Sequence, residues 1–184
     1  MPPQSSGPSW SELRKELLAL EKLELIALIQ DLYKLNNDNK LFLATRFTET
    51  DLESLAEPYR KIIAEQFNPR RGFPKLGLRV ARKAVTDFKK AANNPVAVID
   101  LMLYYVEQGV ICTKNYGDID EPFYSSHVSM FESAVKLIRE LNDPAVTEQF
   151  RYRAQKIVRD TSGIGWGFHD DLAHLYRSEY PSAD

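Results

Sequence analysis

Asn93-Asn-Pro-Val-Ala-Val98 lies between two runs of helical periodicity, and the reading of this short stretch decides the fold. Upstream, Leu78 to Ala92 reads as one helix. Downstream, Pro95 occupies a favoured first helical position and opens a second helix that runs to about Asn115. A connection this short sends the second helix back alongside the first. The device recurs 49 positions later in Asn142-Asp-Pro-Ala-Val-Thr147, between a helix from Tyr124 to Leu141 and one from Pro144 to near Asp160. The same offset carries Tyr116-Gly-Asp-Ile-Asp-Glu-Pro122 onto Gly165-Trp-Gly-Phe-His-Asp-Asp171. Each candidate unit is two helices joined by a tight Asn/Pro turn, followed by a longer loop with aromatic, glycine and acidic residues. A period of roughly 40 to 50 residues suits stacked helical hairpins.

Towards the amino terminus, Ser9-Trp-Ser-Glu12 is a capping box that opens a first helix to about Leu20. A second, Leu23 to Leu35, places Leu25, Leu28, Ile29 and Leu32 on one face. Asn36-Asn-Asp-Asn39 interrupts the pattern before a short apolar helix to Phe47. Thr50 with Glu53 repeats the capping box and starts a helix that ends near Phe67. Two prolines and a glycine keep Asn68-Pro-Arg-Arg-Gly-Phe-Pro-Lys75 from being helical throughout. Ser162-Gly-Ile-Gly-Trp-Gly-Phe-His-Asp-Asp171 gathers three glycines in five residues, and a last helix runs from about His169 to Tyr180. Strand-like alternation is absent. The expected fold is all-α, an antiparallel α–α array of about nine helices, helical-repeat-like, forming one domain over residues 10–184 after a disordered lead-in at 1–9.

The bulk numbers suit one soluble globular domain: 184 residues, 43% hydrophobic, 27% charged, net charge −2. That charge argues against blanket binding of nucleic acid. One cysteine, Cys112, precludes an internal disulfide and fits a reducing cytosol. No apolar stretch is read as reaching the roughly 20 residues of a membrane span, and the first residues lack the basic and apolar regions of a signal peptide. The expectation is a cytoplasmic protein without membrane association.

Alternating helix directions put every second connection at the same end of the array. The long loops 68–76, 116–123 and 161–167 are all of that kind, so they are expected to share one rim, and function concentrates on loops held by a rigid scaffold. The candidate binding residues are Arg70, Arg71, Lys75, Tyr116, Asp118, Asp120, Glu121, Trp166, His169, Asp170 and Asp171.

From Arg70 to Lys90, eight basic residues stand against one acid, Asp87, whereas Asn93 to Gln149 holds three basic residues and nine acids. Arg79, Arg82, Lys83, Lys89 and Lys90 give one helix a cationic side, and Val80, Ala84, Phe88 and Ala91 are read as its buried side. The stripe could track phosphates, with Arg70 and Arg71 suited to bidentate contacts. The ordinary alternative is neutralisation within the molecule, with Arg70 or Arg71 meeting Asp118, Asp120 or Glu121.

Asp118-Ile-Asp-Glu121 resembles a calcium loop only at its opening, because the sixth position is Phe123 and the twelfth Ser129. Helix capping by Asp120 ahead of Pro122 is the simpler role. His169, Asp170, Asp171 and His174 raise a metal hypothesis, but His169 and His174 are five apart on diverging faces. A histidine hydrogen-bonded beside a cap is the commoner outcome. Gly-Ile-Gly-Trp-Gly matches neither the dinucleotide fingerprint nor the P-loop. Cys112 reads as a buried packing residue. Tyr104, Tyr105, Tyr116, Tyr124 and Trp166 are either partner anchors or core. No metal or cofactor is expected.

The segments 68–75, Leu101-Met-Leu-Tyr-Tyr-Val-Glu107, Tyr116-Gly-Asp-Ile-Asp-Glu-Pro-Phe-Tyr124 and 162–171 resemble an uncharacterised bacterial family known only as a domain of unknown function, over roughly Trp10 to Tyr180. The resemblance implies a bacterial, cytoplasmic, all-helical protein and carries no activity, cofactor or partner. The amino-terminal part is similar to helical modules found beside other domains, which suits docking. The expected function is a non-enzymatic binding or scaffold protein that docks a protein partner on the rim. The alternative is an enzyme or sensor at the same rim with His169 as acid/base and Asp118, Asp120 or Asp171 as carboxylates. Nucleic-acid binding through residues 70–90 stands third.

Overall fold

Asn93 and Asn142 both adopt the left-handed backbone, at φ 47° and 48°, and each ends one helix while the next residue caps the following one. Asparagine tolerates this conformation better than most residues. The Asn94 side chain accepts from Ala97 N at 3.0 Å, and that of Asp143 accepts from Ala145 N at 2.9 Å. Pro95 and Pro144 stand in the first turn, where the missing N–H has no helical partner to lose. The two turns thus share one plan, although the cap bond reaches the third residue after Asn94 and the second after Asp143.

The computed structural model describes residues 7–47 and 52–180. Among these, nine helices and no strand occur: α1 Trp10–Ala19, α2 Lys22–Leu35, α3 Asn37–Phe47, α4 Leu52–Phe67, α5 Leu78–Ala92, α6 Pro95–Tyr116, α7 Glu121–Leu141, α8 Pro144–Asp160 and α9 Phe168–Glu179. The Ser9–Glu12 capping box is present in full. Asn36 ends α2, and its Oδ1 accepts from Asn39 N at 2.8 Å, so the Asn-rich break is a junction of two helices. The lead-in over residues 1–6 and the Thr50 capping box lie outside the described residues.

α6 is the central helix, packed against α4, α5, α7 and α8, and α9 closes the array against α7 and α8. Ile99, Leu101, Leu103, Tyr105, Val106 and Cys112 have no exposed surface. This helix departs from the membrane expectation. By length and composition it could span a bilayer, but 61% of its apolar window is buried inside the molecule. Its two acids, Asp100 and Glu107, share one side and serve packing. Arg153 of α8 grips Glu107 through Nε at 2.7 Å and Nη2 at 2.9 Å and also pairs with Asp100, whose other oxygen meets Arg60 of α4 at 2.5 Å. Both arginines have raised pKa values: the carboxylates outweigh burial, which alone would lower them.

On α5, Ala84, Phe88 and Ala91 are buried as expected, together with Ala81 and Val85. Val80 is not; it is half exposed. Ala81 occupies the inward position of that turn in its place, and the rest of the stripe lies where its spacing put it.

Candidate functional site: a rim of three loops

The alternating path brings the three loops together. The ring of Phe73, in the first loop, lies 6.4 Å from that of Tyr116, at the start of the second. Trp166 of the third donates its indole N–H to Asp118 Oδ2 of the second at 2.9 Å.

Each loop is pinned by its own chemistry. Asn68 Nδ2 donates to Gln108 O at 2.8 Å, and Leu76 N returns to Gln66 O at 3.0 Å, so the first loop is tied at both ends. In the second, Gly117 sits at φ 86° past the end of α6, where L side chains are strained. Asp118 Oδ1 accepts from the Tyr124 hydroxyl at 2.5 Å, and Asp120 Oδ1 caps α7 through Phe123 N at 2.9 Å. The capping role expected for Asp120 is thereby present, and α7 starts at Glu121, one turn before the anticipated Tyr124. Burial, reinforced by the bond to Asp118, raises the Tyr124 pKa. In the third loop Trp166 itself adopts φ 62°, a conformation unfavourable for a bulky residue. Backbone strain of this kind costs roughly 1–3 kcal/mol and persists only where surrounding contacts over-determine it.

The rim faces solvent with one large aromatic from each loop: Phe73 is 85% exposed, Tyr116 42% and Trp166 56%. Tyr105 and Tyr124 belong to the core, and Tyr104 is half-buried. Phe73 escaped the sequence reading as a site residue. Its one signal was an aromatic placed between Gly72 and Pro74, with no periodicity to bury it.

Arg70 and Arg71 are exposed, and neither pairs with Asp118, Asp120 or Glu121 among the described residues. Asp118 instead accepts from Tyr124 and Trp166, and Asp120 caps α7. Lys75 reaches Glu65 at 3.9 Å instead. Of the cations on α5, Arg82 binds Ser126 O of α7 at 3.0 Å, and Lys83 pairs with Asp87. Arg79, Lys83 and Lys90 line one wall of an open groove of about 830 Å³, with Ser125 and Ser129 of α7 opposite.

His169 Nδ1 lies 3.0 Å from Thr161 Oγ1 and 3.1 Å from Val158 O, so it ties α9 to the carboxyl end of α8. Asp170 and Asp171 are exposed in the first turn of α9, which favours negative charge. No three His, Cys, Asp or Glu side chains among the described residues converge as a metal site. The hollow beside Trp166, bounded by Glu121, Glu132 and Asp171, measures about 190 Å³, below the ~300 Å³ at which small-molecule pockets begin. Cys112 is buried and its thiol is pushed up to about 11 by desolvation.

Beneath the rim sits His127, fully buried among Phe67, Tyr105 and Phe123, with ring centroids 4.3–5.0 Å away. Nδ1 contacts Phe123 O at 2.7 Å, while Nε2 has no partner and abuts Gly109. Burial pulls its pKa down to about 4, against the opposing effect of the Phe123 carbonyl.

Residues 9–178 match the model of a family described as "Family of unknown function (DUF6155)". No curated protein and no solved structure matches the chain. The chain belongs to that family.

Proposed function

We propose that this family member is a non-enzymatic binding or scaffold protein that docks a protein partner on the three-loop rim. The observation that carries the reading is the convergence of Phe73, Tyr116 and Trp166, each exposed and each from a different loop. Large aromatics on a rigid support are the residues that dominate interface energies. Asp118, Glu121 and Asp171 border Trp166, whereas Arg70, Arg71 and Lys75 share the loop of Phe73. A partner segment that fits has apolar anchors with cations at one end and carboxylates at the other. Loops borne on stacked helical hairpins in a cytoplasmic protein complete the proposal.

The test compares proteins that co-purify with the wild-type chain and with a Phe73→Ala/Trp166→Ala variant whose helical content is unchanged. Loss of a partner that binds the purified wild-type chain directly supports the rim. Retention of every partner overturns it.

A second reading rests on the cationic groove between α5 and α7. Binding of mixed RNA or DNA at low salt, falling steeply as salt rises, would favour it.

A further inference from the structure

α1 and α2 hold no buried residue, although both are rich in large apolar side chains. Trp10 is 69% exposed, Leu18 73%, Leu23 78% and Leu35 72%. The pair joins the rest of the molecule through α3, where Asn39 Nδ2 donates to Leu32 O at 2.7 Å. α3 is anchored in turn by Leu41 in the core and by the bond from the Tyr59 hydroxyl to Asp38 at 2.5 Å. These helices lie inside the family region, which begins at residue 9, so they are a part of the domain that the array does not cover.

Their patterning specifies the kind of surface that would cover them. On α1 and its carboxyl cap, Trp10, Leu13, Leu17 and Leu20 follow 3-4-3 spacing. On α2, Leu25, Leu28, Leu32 and Leu35 do the same. Alternating steps of three and four are the spacing of a seam between helices. Helices of 10 and 14 residues are marginal in water by themselves, so a packing surface is needed to hold them. Their exposed apolar side chains offer on the order of 1,000 Å², against the roughly 800 Å² per partner that a specific interface covers.

Charge selects the occupant. Glu12, Glu16, Glu21, Glu24 and Asp31 are nearly balanced by Arg14, Lys15, Lys22 and Lys34. A helix pair that seats on anionic lipid is rich in Lys and Arg on its polar face, and this one is not. A nearly balanced set does not impose net like-charge repulsion on its own copy, and in a two-fold interface every acid–base contact that forms occurs twice.

We propose that α1 and α2 are a homodimerisation element: two chains pack these helices against each other as a four-helix bundle, leaving both rims free. Sedimentation of the full chain across a range of concentrations is expected to give twice the 21.1 kDa chain mass, and Leu28→Glu/Leu32→Glu is expected to give 21.1 kDa. The double variant should weaken association at least a hundredfold while leaving co-purification through the rim intact. Hydrogen exchange on the unmodified chain supplies the second measurement. Amides over 10–35 should gain protection in step with the dimer fraction, while those of 95–116 stay constant. A wild-type chain that remains monomeric at high concentration overturns the proposal. So does a dimer in which 10–35 gains no protection, or a wild-type monomer that acquires this protection only with a different protein.

Discussion

Trp166 donates its indole N–H to Asp118 across 48 positions of sequence, and it does so from a backbone conformation that a bulky side chain avoids. The same carboxylate accepts from Tyr124. One exposed aspartate thus ties two loops of the rim to the buried side of α7.

Substitutions at Trp166 should separate the bond from the strain. Trp166→Phe loses one hydrogen bond at an exposed site, with an expected cost of about 0.5–1 kcal/mol. Trp166→Ala keeps the φ 62° strain and loses the contact, whereas Trp166→Gly relaxes the strain. Thermal unfolding should therefore find the glycine variant more stable than the alanine variant by about 1 kcal/mol.

Asp100 is the centre of a network from α4 to α8 that the sequence reading passed over. Asp100→Ala removes a partner from both Arg60 and Arg153. Breaking a fully buried pair costs roughly 3–5 kcal/mol, but these side chains keep 17–29% exposure, so about 1–2 kcal/mol is expected. Glu107→Ala should cost less, because Arg153 retains Asp100. Urea unfolding of the two variants checks the order.

Gly109 and His127 should show a reversal of sign. A Cβ at Gly109 would stand 2.1 Å from His127 Nε2. Gly109→Ala gains about 1 kcal/mol of helix preference but overpacks a filled site, typically costing 1–3 kcal/mol, so the net effect is destabilising. With His127→Ala already in place the clash is gone, and Gly109→Ala should stabilise. A double-mutant cycle by chemical denaturation measures the change of sign.

Acid should weaken the fold through His127. Its pKa is about 4 when folded and near 6.5 when unfolded, so between those values the unfolded chain binds more protons. Its contribution is present above pH 6.5 and is lost as the pH falls from 6.5 towards 4, by an amount on the order of 3 kcal/mol. His127→Leu should flatten the profile in that window. Unfolding free energies of both proteins at pH 7 and pH 4.5 test this.

The helix ends were nearly all legible. Ser9–Glu12, Asn94-Pro95, Asp143-Pro144 and Asp120 act within a few residues of where they stand, so their chemistry can be read without knowing what lies across the molecule. The gathering of the three loops was legible too, because short Asn/Pro turns force reversals of direction. The partners of individual charges were not. Arg71 and Asp118 looked complementary, but Trp166 and Tyr124 occupy that carboxylate. Val80 and Ala81 differ by a rotation of one residue about the α5 axis, finer than periodicity resolves.

By itself, then, the sequence determined an all-α chain and the caps at Ser9, Asn94, Asp120 and Asp143, since each cap depends on contacts four residues or fewer apart. Tertiary structure alone decided that His127 is sealed beneath the rim, that Asp100 faces two arginines and that α1 and α2 stay uncovered. An apolar stripe reads the same whether its own core or another surface covers it, and only the packing of helix against helix distinguishes the two.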